Sequence, residues 1–309
     1  MSKRILSENF ERDLKEGLLA PIVSRVKKDN SLLLCIRNGY INIYYRGGNI
    51  LKISELSGNG SYEVFFDENY IEAGSLLKLP SKQISDAAQV KSWLSIIPAL
   101  KEMMDFHLTS AERLEREFQQ LVVRENNYSR ISNATEYFIS DIEFSEKNIG
   151  KFDLIGVRWD ASSSSRRSLN KCQPFIIEMK YGDDALKNKS GIEKHARDFI
   201  EVGNTPSRII AIKETIVYQF NLLTDLGLIK VEQKGKIAID EAQDLEVIFI
   251  LANSKPGSNI LKEVIDKPEL IELDNIKGLS LKFFVANFAA YGLHTSCMKS
   301  LEEFKKLLN

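Results

Sequence analysis

Two apolar stretches of this chain carry charges that strands built for burial rarely hold. PFIIEMKYG sets Glu178 and Lys180 two residues apart. In an extended strand both point to one face, while Ile177 and Met179 point to the other. KFDLIGV holds Asp153 as a lone carboxylate among apolar neighbours. Burying a charge is costly unless it is paired, so such groups come with partners or with a task. If the two stretches are antiparallel neighbours, Asp153 and Glu178 converge on one point. Two carboxylate oxygens and a backbone carbonyl, that of Met179, suit a hard cation such as Mg2+ or Mn2+. Such an ion keeps several waters and accepts substrate phosphate oxygens. A water acidified by the metal attacks phosphorus in line, and Lys180 orients it and stabilises the developing charge. The chemistry expected is hydrolysis of a phosphodiester.

The flanking segments must position these residues. PALKEMMDFHLTSAERLEREFQQLVVREN reads as one long helix from Pro98, or two broken near Thr109-Ser110, with Leu114, Phe118, Leu121 and Val122 as its inner stripe. TEYFISDIEF, KFDLIGVRW and PFIIEMKY are three successive strands, the last two joined by the polar, serine-rich loop ASSSSRRSLNKC. Helices over about 185–202 and 207–226 precede a hairpin around Lys234-Gly235. LEVIFILAN and LKFFVANF are strands, and SLEEFKKLL is a closing helix whose Ser300 and Glu303 fit a capping box. Helix, three strands, helix and strand indicate an α+β or mixed α/β fold and not a doubly wound Rossmann sheet. SKPGSN lacks the GK[ST] ending of a phosphate loop.

Upstream, Phe10, Leu14, Leu18 and Ile22 mark one helix face over Glu8–Lys27, kinked or ended by Pro21. SLLLCIRNGYINIYYRGGNILKISEL and SYEVFFDENYI read as antiparallel strands, with turns at Asn38-Gly39 and Gly47-Gly48. Residues 1–95 form a β-rich module with a boundary between Pro80 and Pro98, and 96–309 form a second domain. Tyr40, Tyr44, Tyr45, Phe65 and Phe66 are expected in the module's core, with a base-stacking surface as the alternative. Arg37 and Arg46, near turns, are candidate phosphate contacts.

Forty-two basic against 43 acidic residues leave a net charge of -1, so phosphate binding has to come from local patches or metal ions. Cys35, Cys172 and Cys297 are scattered, as are His107, His195 and His294, which argues against a zinc cluster or a disulfide framework. The N-terminus shows no signal peptide, and no apolar run is long enough to span a bilayer. A cytoplasmic protein with no membrane contact is expected.

Asp153, the Glu178-Met179-Lys180 triplet and a preceding helix bearing a glutamate resemble the PD-(D/E)XK superfamily of restriction-endonuclease-like nucleases. The resemblance covers roughly residues 98–205 and, more loosely, the strand near 245–252. It implies an α-β-β-β-α-β core in which Asp153 and Glu178 bind the divalent metal and Lys180 assists the attacking water. Phe152 stands where the family has proline. Many members carry an acid on the first core helix; Glu117, beside Leu114 and Leu121, fits that role, with Glu125 the alternative. The helix after the triplet lines the site in such nucleases, which makes Lys194 and His195 candidate substrate contacts, and Arg166 and Arg167 in the strand-joining loop are candidates for the nucleic-acid backbone. The implied activity is Mg2+-dependent endonucleolytic cleavage of DNA, as in restriction, repair and phage defence, with the β-rich module choosing substrate or partner and a homodimer supplying two sites. Two other readings stand beside it: a nuclease-like binding module without turnover, and a purely structural cluster of Asp153, Glu178 and Lys180.

Overall fold

The computed structural model describes residues 4–56, 60–71, 75–110, 114–128, 135–147, 150–187, 191–231, 235–240, 242–252, 259–286, 293, 295 and 298–308. The chain divides into two compact units, Ser2–Gln120 with Leu222–Ile229, and Leu121–Asn221 with Lys230–Asn309. The expected β-rich module thus lies inside a unit that runs on to Gln120.

In the first unit the Ser7 hydroxyl accepts the Phe10 N–H and starts α1 (Glu8–Lys15). Pro21 sits in the first turn of α2 (Ala20–Lys28), where its missing N–H removes no helical bond. The expected single helix is therefore two. A five-stranded antiparallel sheet follows in sequence order: β1 (Leu32–Ile36), β2 (Tyr40–Tyr45), β3 (Gly48–Leu56), β4 (Ser61–Phe65) and β5 (Gln83–Ile84). Tyr45 pairs with Gly48, so the turn is Arg46-Gly47, one residue earlier than expected. Both have positive φ, 47° and 73°, the signature of a type I′ hairpin. Left-handed backbone is unfavourable for arginine. Its side chain offsets this by bonding Asp105 at 2.8 Å and Glu117 at 3.0 Å. Arg37, expected near solvent, is buried and donates to the Ile36 carbonyl and the Tyr44 hydroxyl. Of the five aromatics, Tyr44 and Phe66 are buried and Phe65 is half exposed.

The helix expected from Pro98 begins eleven residues earlier: α3 spans Ala87–Ser110 with Pro98 inside it. Its start is Asp86, whose carboxylate accepts the Gln89 N–H at 2.9 Å.

In the second unit, α4 (Leu114–Asn127), within which the division falls, leads into β6 (Tyr137–Glu146), β7 (Gly150–Arg158), α5 (Ser163–Arg166), β8 (Gln173–Tyr181), α6 (Asp184–Lys187), α7 (Ile192–Gly203) and α8 (Pro206–Asp225). Then come β9 (Leu245–Ala252), α9 (Ile260–Ile265), α10 (Pro268–Asp274), β10 (Leu279–Ala286) and α11 (Leu301–Leu308). The sheet order is β10-β9-β8-β7-β6. β6, β7 and β8 form an antiparallel meander, and β9 and β10 run parallel to β8. The architecture is mixed α and β with two sheets. β9 is buried at every position, as its unbroken apolar run requires when both faces are covered. On one face a chain of rings, Phe152, Phe199, Phe249, Phe283 and Phe304, joins β7, α7, β9, β10 and α11 at centroid spacings of 5.4, 5.7, 5.7 and 5.0 Å. Elsewhere in the unit Phe220 of α8 packs against Phe138 and Trp159.

Several expectations change. Phe118 and Val122 of α4 are buried, but Leu114 is exposed. Helices α9 and α10 were not anticipated. The Ser300–Glu303 capping box forms in both directions. Lys234 lies outside the described residues, and 235–240 hold no strand. Among the described residues no helix is long and apolar enough to cross a membrane.

One ion cluster joins α2 to α3: Asp29 accepts from Lys101 at 2.5 Å, Arg25 at 2.9 Å and Ser31 at 2.6 Å. Burial works against the Asp29 carboxylate, but the bonds from Lys101 and Ser31 outweigh it and hold the carboxyl below its ordinary 3.8. A lowered folded pKa means the stabilisation is present above the ordinary value and is lost as pH falls through the lower one. Asp29→Asn is expected to cost about 1–2 kcal/mol at pH 7. The gap from the unsubstituted protein should close in urea titrations at progressively lower pH below 3.8; a pH-independent gap would count against the cluster.

Candidate functional site

β8 is the strand on which the site is built. Residues Pro174 to Lys180 are all buried, and that run includes both charges. Glu178 and Lys180 are each 3% exposed. Their alternation along the strand puts them on one face, and Lys180 Nζ donates to Glu178 Oε1 at 2.6 Å. α7 supplies a third partner. Ile192, Ala196 and Phe199 press the helix onto the sheet, and His195, one turn from each end of that face, is carried down with them. Its Nε2 lies 2.9 Å from the same Glu178 oxygen, and its Nδ1 lies 3.6 Å from Asp198. Both contacts fall on Oε1, which leaves Oε2 as the oxygen to offer a cation.

Asp153 arrives differently from the expectation. The β7–β8 register pairs Gly156 with Phe175, Ile155 with Ile176 and Leu154 with Ile177, and stops there. At the next residue the half-buried Asp153 turns Oδ2 onto the Met179 N–H at 2.7 Å. A side chain has taken a donor that a regular ladder would give to a backbone carbonyl. The anchor fixes the Asp153 carboxylate within about 5 Å of the Glu178 Cα, the bond just given plus about 2.4 Å from a peptide nitrogen to the preceding Cα. The N–H and C=O of a strand residue point to the same edge, so the Met179 carbonyl faces β7 as well. Structure thus brings Asp153, Glu178, Met179, Lys180 and His195 to one segment of β8.

The other expected residues have different surroundings. Glu117 belongs to the first unit, where Arg46 grips its carboxylate through two nitrogens. Glu125 accepts from its neighbour Arg124. Lys194 pairs with Asp198 on the exposed side of α7. Arg166 is corrected from a backbone contact to a structural residue: its guanidinium lies over Phe138 and Trp159 at 5.0 and 5.3 Å and donates to the carbonyls of Thr135 and Asp160. Arg167 beside it is exposed. Asp198 escaped notice in the sequence, although an acid three residues after a helical histidine is the spacing that brings the two side chains together. Cys35 and Cys172 are buried and carry no disulfide; His294 and Cys297 lie outside the described residues.

Among the described residues no group of three or more His, Cys, Asp or Glu side chains is arranged to hold a metal ion. The donors at β8 are two carboxylates and one carbonyl, all oxygen. That set fits a hard cation that retains water in its remaining positions.

No family model matches the chain, and no curated protein matches it. The structure of Pyrococcus furiosus SfsA in complex with Ca2+ aligns over 86% of this chain and 90% of that chain, at 9% identity and a TM-score of 0.24. A likeness at that level carries no conclusion about fold or activity.

The Asp153 anchor is open to measurement. Asp153→Ala orphans the Met179 N–H and should cost about 1–3 kcal/mol in urea unfolding. Asp153→Asn, whose amide oxygen still accepts, should cost clearly less and keep the Met179 amide slow to exchange. Equal losses in the two variants would show that the hydrogen bond does not hold the strands.

Proposed function

We propose that this chain is a metal-dependent phosphodiesterase of the PD-(D/E)XK type, cutting DNA at the β7–β8 segment. The observation that carries the reading is the placement of Glu178 and Lys180 on the buried run of β8, with His195 of α7 against Glu178 and Asp153 bonded to the peptide between the two charges. In support, α4, the antiparallel β6–β7–β8 meander, α7 and the parallel β9 follow one another in the order such a core requires.

Asp153 and Glu178 would hold Mg2+ or Mn2+, with the Met179 carbonyl as the third protein oxygen. When bound, the cation supplies Lewis acidity and neutralises charge on the phosphate oxygens. Lys180 holds the attacking water by hydrogen bonding and offsets negative charge at phosphorus. His195 fixes the rotamer of Glu178, and Asp198 faces the other nitrogen of its ring. Hydrolysis forms one P–O bond to the water oxygen and breaks one to the departing sugar oxygen. The first unit, with its antiparallel sheet, selects the substrate or partner. A homodimer would place two such sites for cutting both strands, and the thiols of Cys35 and Cys172, which carry no disulfide, suit the cytoplasm.

A second reading rests on one observation: Glu178 already accepts from Lys180 and lies 2.9 Å from the His195 ring. With those charges balanced internally, the cluster is complete as a structural lock, and the chain is then a binding module without turnover. Plasmid, single-stranded DNA and RNA incubated with Mg2+ or Mn2+ separate the two. Glu178→Gln, Lys180→Ala and Asp153→Asn should each lower cleavage by at least about a hundredfold. Cleavage unaffected by these changes, or by chelation of the metal, would remove the proposal.

A further inference from the structure

We propose that the cleft between α6, α7 and the α9–α10 segment binds a phosphate of the nucleic-acid strand beside the one being cut. This rests on the phosphodiesterase reading and extends it to how the substrate is held. The cleft has a volume of about 600 Å3 and is lined by Lys187, Lys194, Arg197 and Lys267 against two acids, Glu193 and Glu263. A chain with a net charge of -1 has no general attraction for a polyanion, so contacts must be local. Here four cations, two of them on α7 and one each on α6 and at the start of α10, face one space.

Their present partners are weak competitors. Lys187 pairs with Glu263, Lys194 with Asp198, Arg197 with Glu193 and Glu269, and Lys267 stands 3.7 Å from Glu193. The four basic side chains are 44–56% exposed. Ion pairs so open to water contribute about 0–1 kcal/mol each, whereas one phosphate accepts from several cations together. Gly191, which also lines the cleft, is the N-cap of α7 and has no side chain to cap the first turn. The N-terminal end of the α7 dipole adds to the positive field. Finally, α7 links cleft and site: Lys194 faces the cleft and His195, the next residue, touches Glu178. A strand crossing the β8 site lies beside the helix whose adjoining side is this cleft.

The test is binding of a fluorescein-labelled DNA 20-mer to the full chain in EDTA, followed by anisotropy across a salt series. Lys187→Ala/Lys267→Ala should weaken binding several-fold at low salt and lower the slope of log K against log[salt] by about two. Glu263→Gln, which releases Lys187, should tighten binding, so the double variant is not judged alone should it unfold. Lys306→Ala on α11 serves as the control and should change neither quantity. Unaltered affinity and slope in the double variant, or no effect from Glu263→Gln, would overturn the proposal. So would lysine-dependent binding of inorganic phosphate at constant ionic strength without any of the 20-mer. Because cleavage is excluded by EDTA, the two proposals fail separately: an altered slope without any cleavage in Mg2+ leaves the cleft and removes the nuclease, and cleavage with an unaltered slope does the reverse.

Discussion

A lysine and a glutamate two residues apart on a strand covered on both faces are each 3% exposed, so burial drives them onto each other. At 2.6 Å their attraction is about 6 kcal/mol for an effective dielectric near 20. Removing two ions from water costs about as much, several kcal/mol for each. The pair therefore roughly breaks even, and hydrophobic residues of the same size would serve the sheet as well. Glu178 and Lys180 are thus poor candidates for pure stabilisers. The rest of the local structure is shaped by their presence: α7 brings His195 down to share the Glu178 oxygen, and the β7 ladder ends where Asp153 takes the Met179 N–H.

That ladder break is what makes the segment more than an ion pair. A regular antiparallel register would continue past Leu154 and Ile177 and close the space between the strands with backbone bonds. The side chain in its place tethers the two strands through a carboxylate. The Asp153 carboxylate thereby meets β8 at the peptide between Glu178 and Lys180.

Much of this was legible because it rests on short-range pattern. The alternation in PFIIEMKY exposes the charge anomaly, the hydrophobic run LEVIFILA marks a doubly covered strand, and Ser300 with Glu303 announces a helix start. What was missed depends on contacts the linear order does not reveal. Glu117 lies on the expected helical stripe, but Arg46, held in a left-handed turn far away in sequence, claims it. Arg166 looks like a solvent-exposed loop residue until Phe138 and Trp159 are seen to enclose it. Pro98 looks like a helix start because proline is favoured there, yet Asp86 with Gln89 had already begun the helix. That last signal was present and was overridden by a stronger but misplaced one.

The same sheet holds a second buried charge cluster, and the contrast sharpens the assignment. Glu246 at the start of β9 lies 3.1 Å from Arg158 and accepts from Tyr137 at 3.2 Å, while Arg158 also bonds Asp160 and Gln173. Burial pushes the Glu246 carboxyl and the Tyr137 hydroxyl above their ordinary values, with Arg158 opposing it at both. Glu246 is level with Phe175, three residues from Glu178 along β8, and an odd separation places it on the opposite face. There the guanidinium contacts Gln173 of β8, Glu246 of β9 and Asp160 just after β7, and its buried Nε, 3.1 Å from Glu246, makes no hydrogen bond. On the other face Lys180 and His195 both approach the same Glu178 oxygen, and Asp153 accepts the Met179 N–H. Two buried acids in one sheet thus differ in surroundings: Glu246 is set between a guanidinium and a phenol at the strand ends, and Glu178 between an ammonium group and an imidazole.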